Sequence, residues 1–308
     1  MNLKLNYPLK KVSSIKIGGI AKFFVNIKNE EGLVKIIKWA KKNKLKWFVV
    51  GEGSNLIPRD NGFNGLIVKN EISVFKIKDN KVFFGAGNNL LKSILKLNRL
   101  GLMGMERMAG IPGTVGGAIR GSVGAYGQEI KDNIVRVKIY DGNKNFWISK
   151  KQCHFTYRES IFKKNKSWII LGAEFKFENE NPKKLSKISK DIIKLRQQKY
   201  WSGLLCPGSF FKNIIIKNIK PSSLKKKLLL QIPEDKITHG KIPAGYLLEI
   251  VGSKGLRFGN IKVAKHHGNL IYNMGRGKSS EIIKLAKVLK NRVRKKFGIN
   301  LVEEIQYL

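Results

Sequence analysis

Cysteine is scarce: the 308 residues contain two, Cys153 and Cys206. Neither has a partner at metal-ligand spacing, so the chain reads as free of structural disulfides and of metal, and the usage fits a reducing, cytoplasmic setting. No apolar run approaches the roughly 20 residues that a membrane-spanning helix needs. The stretch MNLKLNYPLKK lacks the apolar core of a signal peptide. Low-complexity blocks, internal repeats and a Rossmann fingerprint are also missing. Acidic residues are few, 21 Asp and Glu against 61 Lys and Arg, for a formal net charge of +40. Such an excess ordinarily points to nucleic acid. Here the lysines are dispersed through every segment and rise together with isoleucine and asparagine, residues that share A- and T-rich codons. Base composition explains the charge, and no specific nucleic-acid partner is expected. Lys225–Lys227 reads as a solvated helix face.

Glycine is not scarce, and it is concentrated. The stretch 109–128 reads AGIPGTVGGAIRGSVGAYGQ, with glycine at 110, 113, 116, 117, 121, 124 and 127. So many residues without bulk disfavour helix and strand. They permit close approach of the main chain to a ligand, with N–H groups turned toward anionic oxygens or ring heteroatoms. A flexible linker would be polar and serine-rich, whereas this run carries Ile111, Val115, Ile119, Val123 and Tyr126. It reads as a packed wall around a flat, phosphorylated group.

The rest of the chain supplies the frame. A strand over 21–27, a helix over 30–42 and a strand over 47–50 run into Gly51-Glu52-Gly53-Ser54-Asn55, a glycine turn at a strand's carboxyl end, a usual place for phosphate. Residues 66–68 and 81–86 read as strands and 89–100 as an amphipathic helix. A hairpin is expected over 134–148 around Asp141-Gly142, a strand over 168–177 and a proline-opened helix over 182–199. In the last third, 243–251 and 280–297 read as helices and 260–263, 269–273 and 301–307 as strands. Gly277-Lys278-Ser279 imitates the end of a P-loop, but Tyr272 stands where that motif needs glycine; Ser279 reads as a helix N-cap.

Several residues can carry chemistry. Ser209 follows Gly208 and precedes Phe210-Phe211, a hydroxyl in a dry wall. No G-x-S-x-G elbow surrounds it, which suits a proton donor better than an acyl nucleophile; a purely structural serine is the simpler alternative. Arg158, in Tyr157-Arg158-Glu159-Ser160, is able to clamp a carboxylate or to pair with Glu159 at the surface. Glu303 and Glu304 would face opposite sides of a terminal strand, so only one can enter a site.

Taken together and in order, Ile17-Gly18-Gly19, GEGSN at 51–55, GIPGTVGG at 110–117, GAYG at 124–127, YRES at 157–160, GSFFKN at 208–213, PAGYLLE at 243–249 and the terminal Glu304-Ile305 resemble the UDP-N-acetylenolpyruvoylglucosamine reductase family. The resemblance implies an α+β fold: a two-part FAD-binding module of the vanillyl-alcohol-oxidase type over 1–69 and 70–198, then a substrate-binding domain over 199–302, with the tail 303–308 returning to the first part. It implies FAD and NADPH as cofactors and a UDP-sugar nucleotide as substrate, in a cytoplasmic monomer. Gly51, Glu52, Gly53, Ser54, Asn55, Leu56 and Gly87 would line the FAD diphosphate. Gly110, Ile111, Pro112, Gly113, Thr114, Gly116, Gly117 and Ala118 would wrap the diphosphate and the flavin ring, together with Gly124, Ala125 and Tyr126.

The resemblance further implies hydride delivery to the terminal vinyl carbon of the enolpyruvyl group. Ser209 would be the proton donor, with Arg158 and Glu304 on the substrate carboxyl. Tyr157, Lys199, Asn213 and His267 would meet substrate or nicotinamide. Arg120-Gly121-Ser122-Val123 departs from the family, which often has asparagine before the GAYG turn; Arg120 would reach phosphate or point outward. The short run from Arg196 to Ser209 suits the branch without an inserted substrate-covering loop. An oxidase of the same fold, acting on an alcohol or sugar, is the alternative, and it would need a base and oxygen access.

Overall fold

The Asn29 side chain accepts a hydrogen bond from the Gly32 amide at 2.8 Å and starts helix α1, Glu30–Lys42, satisfying a donor that the first turn leaves without a partner. Leu33, Ile36, Ile37 and Ala40 recur on one face and are buried. The computed structural model describes residues 2–308, and these divide into two units, each assembled from separated stretches. One comprises residues 2–7, Ala21–Gly53 and Asn64–Trp201; the other Pro8–Ile20, Ser54–Phe63 and Ser202–Leu308.

The first unit holds two sheets with two cores. A four-stranded sheet runs in the order Lys4–Pro8, Ile20–Ile27, Phe63–Asn70, Lys46–Val50, its last pair parallel from Lys46 opposite Gly65 to Val50 opposite Lys69. The apolar face of α1 packs there with Val25, Ile27, Leu66 and Val68. The second sheet is antiparallel, in the order Asn145–Ser149, Ile134–Tyr140, Ile169–Lys176, Lys81–Gly85, Phe75–Lys78. Its core receives α2 (Leu90–Arg99) through Leu90, Ile94 and Leu97. Also in this unit are α3 (Val115–Gly121), α4 (Ile161–Lys164) and α5 (Pro182–Lys199).

The second unit contains α6 (Ser222–Leu229), α7 (Ala244–Ile250) and α8 (Ser279–Phe297). A small sheet orders Arg257–Phe258, Ile261–Val263 and Ile271–Asn273. Ile282, Leu285, Leu289, Val293 and Phe297 of α8 share one core with Phe210, Phe211, Leu247 and Leu248. Ile15, Ile17 and Ile57 are buried in that same core. Stretches 8–20 and 54–63 therefore fold with the C-terminal third, which divides the span 1–69 read from the sequence as one subdomain. The tail pairs in parallel with Leu56–Ile57 through Gln306–Tyr307.

Three local expectations change. The terminal strand read over 301–307 shrinks to Gln306–Tyr307 plus a single bridge at Glu303, with a bend between them at Ile305. The glycine-rich stretch does form a helix, α3, because Thr114 caps it and Val115, Ala118 and Ile119 bury their side chains, and burial outweighs the propensity cost of about 1 kcal/mol per glycine. Ser279 is not the N-cap of α8 but its first residue. Asp60 serves that end from a distant stretch, accepting from the Ser279 amide at 2.7 Å and the Ser280 amide at 3.0 Å.

Burial alone would raise the Asp60 carboxyl, but hydrogen bonds from the amides and hydroxyls of Ser280 and Ser279 outweigh it and hold the pKa below its ordinary value. A depressed carboxylate stabilises the fold above its unfolded pKa, and that contribution is lost as pH falls through the folded one. Asp60→Ala is accordingly expected to cost about 1 kcal/mol in urea denaturation at pH 7. The deficit should shrink as the pH is lowered below about 4, the unfolded value; a deficit constant from pH 7 to 3 would refute the assignment.

Candidate active site

Three loops of the first unit are woven together at the carboxyl end of Lys46–Val50. A Cβ added to Gly51 would lie 2.4 Å from the Thr114 hydroxyl, and one on Gly116 would lie 2.7 Å from the Ala86 Cβ. On Gly87 it would meet the Ile72 amide nitrogen at 2.4 Å. These contacts are closer than real Cβ atoms tolerate, so each position requires glycine. Backbone bonds complete the weave: Leu90 N–H to the Gly113 carbonyl, Val115 N–H to Asn88 and Gly116 N–H to Ala86, all 2.9 Å. The exposed Glu52 accepts from the Asn89 side chain at 2.6 Å.

The opening N–H groups of α3 are therefore used within the protein, since Gly117 N–H also bonds the Thr114 hydroxyl. N–H groups left free for a ligand, as the sequence suggested, are therefore not what the start of this helix supplies. What suits the wall to a ligand is missing bulk. An added Cβ at Gly117 would meet only the Thr114 hydroxyl, at 3.4 Å, and at Gly127 nothing within 4 Å. Gly53, Gly113, Thr114, Gly116, Ala118 and Gly124 form the buried back of the wall. Gly51, Gly87, Gly110, Ile111 and Ala125 are half-buried, and Pro112, Gly117, Tyr126 and Gly127 are exposed along its front. A flat cofactor such as FAD suits a surface of main chain and small residues.

Tyr126 and Gly127 form the two-residue turn between Gly124–Ala125 and Gln128–Glu129. Both have positive φ, 50° and 85°, as a hairpin turn matching the strand twist demands. Arg158 reaches this region, its guanidinium donating to the carbonyls of Gly124 at 2.7 Å and Ser122 at 3.4 Å. Arg158 itself has φ 57°, an uncommon conformation for a bulky residue. It is imposed by a tight turn in which Thr156 and Glu159 exchange backbone bonds of 3.0 and 3.1 Å. Tyr157 lies beside it, its ring centroid 5.1 Å from the guanidinium carbon. Arg120 neither points outward nor reaches toward a phosphate: its half-buried guanidinium donates to the Phe162 carbonyl, and burial lowers its pKa. Ser160 returns a hydroxyl bond to the Arg120 carbonyl at 2.7 Å. The two arginines thus fasten the YRES turn to the glycine-rich stretch, a role for Arg120 that the sequence did not reveal. Lys199 ends α5, its ammonium 5.1 Å from the Tyr200 ring centroid.

The second unit builds its own constellation around Ser209. Ser209 pairs with Leu270 and Phe211 with Glu303, while Phe210 N–H bonds the Asn269 carbonyl at 3.1 Å and Glu304 N–H bonds the Phe210 carbonyl at 2.8 Å. The stretch 209–211 is therefore bridged on one side to 269–270 and on the other to 303–304. Phe210 and Phe211 are almost wholly buried and anchor it in the core. Asn269 braces it further, accepting from Phe211 N–H and donating to the Phe211 carbonyl, each at 2.8 Å. His267 Nδ1 accepts from the Asn269 amide at 3.0 Å, which leaves Nε2 as the donor of the neutral ring. The Asn213 side chain accepts from the Ala244 amide at 3.2 Å. Ser54 and Asn55 are half-buried and Leu56 buried in this unit. The Asn55 amide donates to the Pro207 carbonyl at 3.4 Å, and its own carbonyl accepts from Gln306 N–H at 3.0 Å.

The thiols take no part: burial pushes Cys153 up to about 12, and Cys206 is buried as well.

Residues 21–145 match the FAD binding domain family, and residues 202–308 match the C-terminal domain of UDP-N-acetylenolpyruvoylglucosamine reductase. With the glycine-built wall, these define an FAD-dependent oxidoreductase. A UDP-N-acetylenolpyruvoylglucosamine reductase of Solibacter usitatus is 40% identical over 98% of this chain and 95% of its own length. That of Carboxydothermus hydrogenoformans is 34% identical over 98% and 93%. The chain belongs to the UDP-N-acetylenolpyruvoylglucosamine reductase family. The Thermus caldophilus enzyme of that name shares its fold, with a TM-score of 0.75 at 23% identity, covering 99% of this chain and 98% of the other. No helix of the described residues is long and apolar enough to cross a membrane.

Proposed function

We propose that this protein, a cytoplasmic monomer, reduces the enolpyruvyl group of UDP-N-acetylglucosamine enolpyruvate to give UDP-N-acetylmuramate, with NADPH as electron source and Ser209 as proton donor. Bound FAD supplies the hydride chemistry that no side chain can. The observation that supports the reading is the bridged stretch 209–211, where the buried Phe210 and Phe211 anchor the residue next to Ser209 and the Phe210 carbonyl accepts from Glu304 N–H.

Hydride arriving at the terminal vinyl carbon leaves negative charge on the adjoining carbon and its carboxylate. Preorganised charge and donors there supply the largest share of rate enhancement in such steps. Arg158, its guanidinium plane fixed by the carbonyls of Gly124 and Ser122, holds the substrate carboxylate with Glu304. Ser209 then gives its hydroxyl proton to the carbanionic carbon. A hydroxyl is a weak acid, but an enolate-like carbon is basic enough for the transfer to run downhill. His267, donating through Nε2, together with Asn213, Tyr157 and Lys199 holds the nucleotide phosphates and sugar.

The test is a two-step anaerobic titration. NADPH should bleach the yellow protein, and the enolpyruvyl nucleotide should restore the colour. Recovery of colour by oxygen alone would replace this reading with the oxidase alternative.

A further inference from the structure

Lysines dispersed along the sequence are brought together by strand pairing on one face of the five-stranded sheet. Val82, Phe84, Val137, Ala173 and Phe175 of that sheet enter the core shared with α2 and with Val115, Ala118 and Ile119 of α3. Alternation turns their strand neighbours to the opposite face. There the registers set Lys76 beside Phe83 and Lys78 beside Lys81, Lys81 beside Lys176 and Phe83 beside Glu174, and Glu174 beside Arg136. In the adjoining row Lys138 stands between Gly172 and Trp147. The strand positions of this face therefore carry six cations and one carboxylate. Arg136 pairs with Glu174 at 2.9 Å, and α1 reaches one margin, where Glu30 pairs with Lys138 at 2.7 Å. Lys76, Lys78, Lys81, Lys176 and Trp147 are exposed.

Two aromatic rings meet in the middle of this charge. Trp147 and Phe83 stand on strands with two others between them, yet their ring centroids are 5.9 Å apart. Gly172, on one of the intervening strands, leaves the space: a Cβ there would lie 2.5 Å from the Phe83 ring. The side chains thus lean across the sheet toward each other. The Arg136 guanidinium carbon is 4.4 Å from the Trp147 ring centroid, and Trp147 keeps 37% of its surface exposed. We infer that this face binds single-stranded nucleic acid without regard to sequence, the Trp147 ring stacking an unpaired base and the lysines around it following the phosphates. Sites of that kind combine a cationic surface with aromatic rings, because every base has a face to stack and every nucleotide a charge to neutralise. A duplex keeps its bases paired and would use the lysines alone. An anionic bilayer would likewise use the charge, but rings that lean along a sheet do not project into it. The face is turned away from α3, so its use is separate from the proposed reduction.

A net charge of +40 attracts any polyanion, so the test asks where the strand lies and what the ring contributes. Fluorescence anisotropy of a labelled oligouridylate of about 12 nucleotides, the scale of single-strand sites, is followed with the FAD-loaded protein over a range of salt. Trp147→Leu should weaken binding about fivefold or more, the share of one stacked base, with the salt dependence unchanged. Trp147→Phe, which keeps a ring, should recover most of that loss. Lys76→Gln, Lys78→Gln and Lys81→Gln combined should lower the slope of log affinity against log salt by about two, from about 0.7 per phosphate contact. Lys225→Gln, Lys226→Gln and Lys227→Gln combined remove the same charge from α6 and should leave affinity within about twofold, since charges beyond a screening length contribute little. A duplex of the same length should bind Trp147→Leu as well as it binds the wild type. Equal weakening in both triple variants would reduce the binding to general attraction and overturn the site. So would an unaffected Trp147→Leu, or a loss that Trp147→Phe does not recover. Phosphatidylglycerol vesicles that bind the wild type and release Trp147→Leu, where the oligouridylate makes no such distinction, would replace the inference with a lipid surface.

Discussion

Replacing Ser209 by alanine is expected to slow reoxidation by the enolpyruvyl nucleotide by about 10²–10⁴-fold, the usual share of a positioned general acid, while NADPH still reduces the flavin at the wild-type rate. The selectivity follows from what the hydroxyl does. Only the second half-reaction creates a carbanionic carbon that must be protonated. The substitution should also be structurally mild. Ser209 is half-buried, and the residues after it are held by backbone bonds at Phe210 and by Asn269 at Phe211, which the substitution leaves in place. Equal slowing of both half-reactions would count against the proton-donor role. Ser209→Cys sharpens the experiment, because a thiol of similar size can still donate a proton and should recover part of the lost rate.

The second large effect is a contrast between neighbouring glycines. Gly116→Val is expected to destabilise the apoprotein by about 1–3 kcal/mol or more, the cost of overpacking a core, because its Cβ would lie 2.7 Å from the Ala86 Cβ and 3.0 Å from the Ala86 carbonyl oxygen. At Gly117 an added Cβ meets only the Thr114 hydroxyl at 3.4 Å, and replacing a helical glycine by alanine gains up to about 1 kcal/mol of propensity. Gly117→Ala should therefore melt no lower than the wild-type apoprotein. Gly117→Val, bulkier on the same exposed front, should yield folded but colourless protein with FAD affinity reduced at least tenfold. Wild-type FAD affinity in Gly117→Val, measured by fluorescence titration, would show that the cofactor does not lie against this wall. Thermal melting of the apoproteins separates loss of fold from loss of binding.

Both experiments show how unevenly the sequence discloses its structure. Periodicity was sufficient for α1, α2 and α5, whose apolar stripes, Asn caps and opening proline are local signals read within one turn. The glycine-rich wall was legible as a ligand surface because a cluster of glycine interleaved with isoleucine and valine has few other uses. Its helix was not, because the burial of Val115, Ala118 and Ile119 that stabilises α3 is supplied by partners distant in sequence. Arg120 illustrates the same limit. Nothing local to Arg120-Gly121-Ser122 indicates that its guanidinium will be turned toward Phe162, forty-two residues on.

At the active site the residue types were readable in order along the chain. The family resemblance supplied their roles, since a serine, an arginine and a glutamate have many meanings singly. The sequence by itself pointed to a flat, phosphorylated ligand, through glycines interleaved with isoleucine and valine, and left Ser209 open between a proton donor and a structural hydroxyl. Tertiary structure alone decided that residues 8–20 and 54–63 fold with the last third, that Asp60 serves the start of α8, and that the Arg120 guanidinium turns to the Phe162 carbonyl. Each of these rests on a contact between stretches remote in the chain. Such pairings depend on which buried faces meet, and propensity, spacing and composition record only what each stretch can do alone.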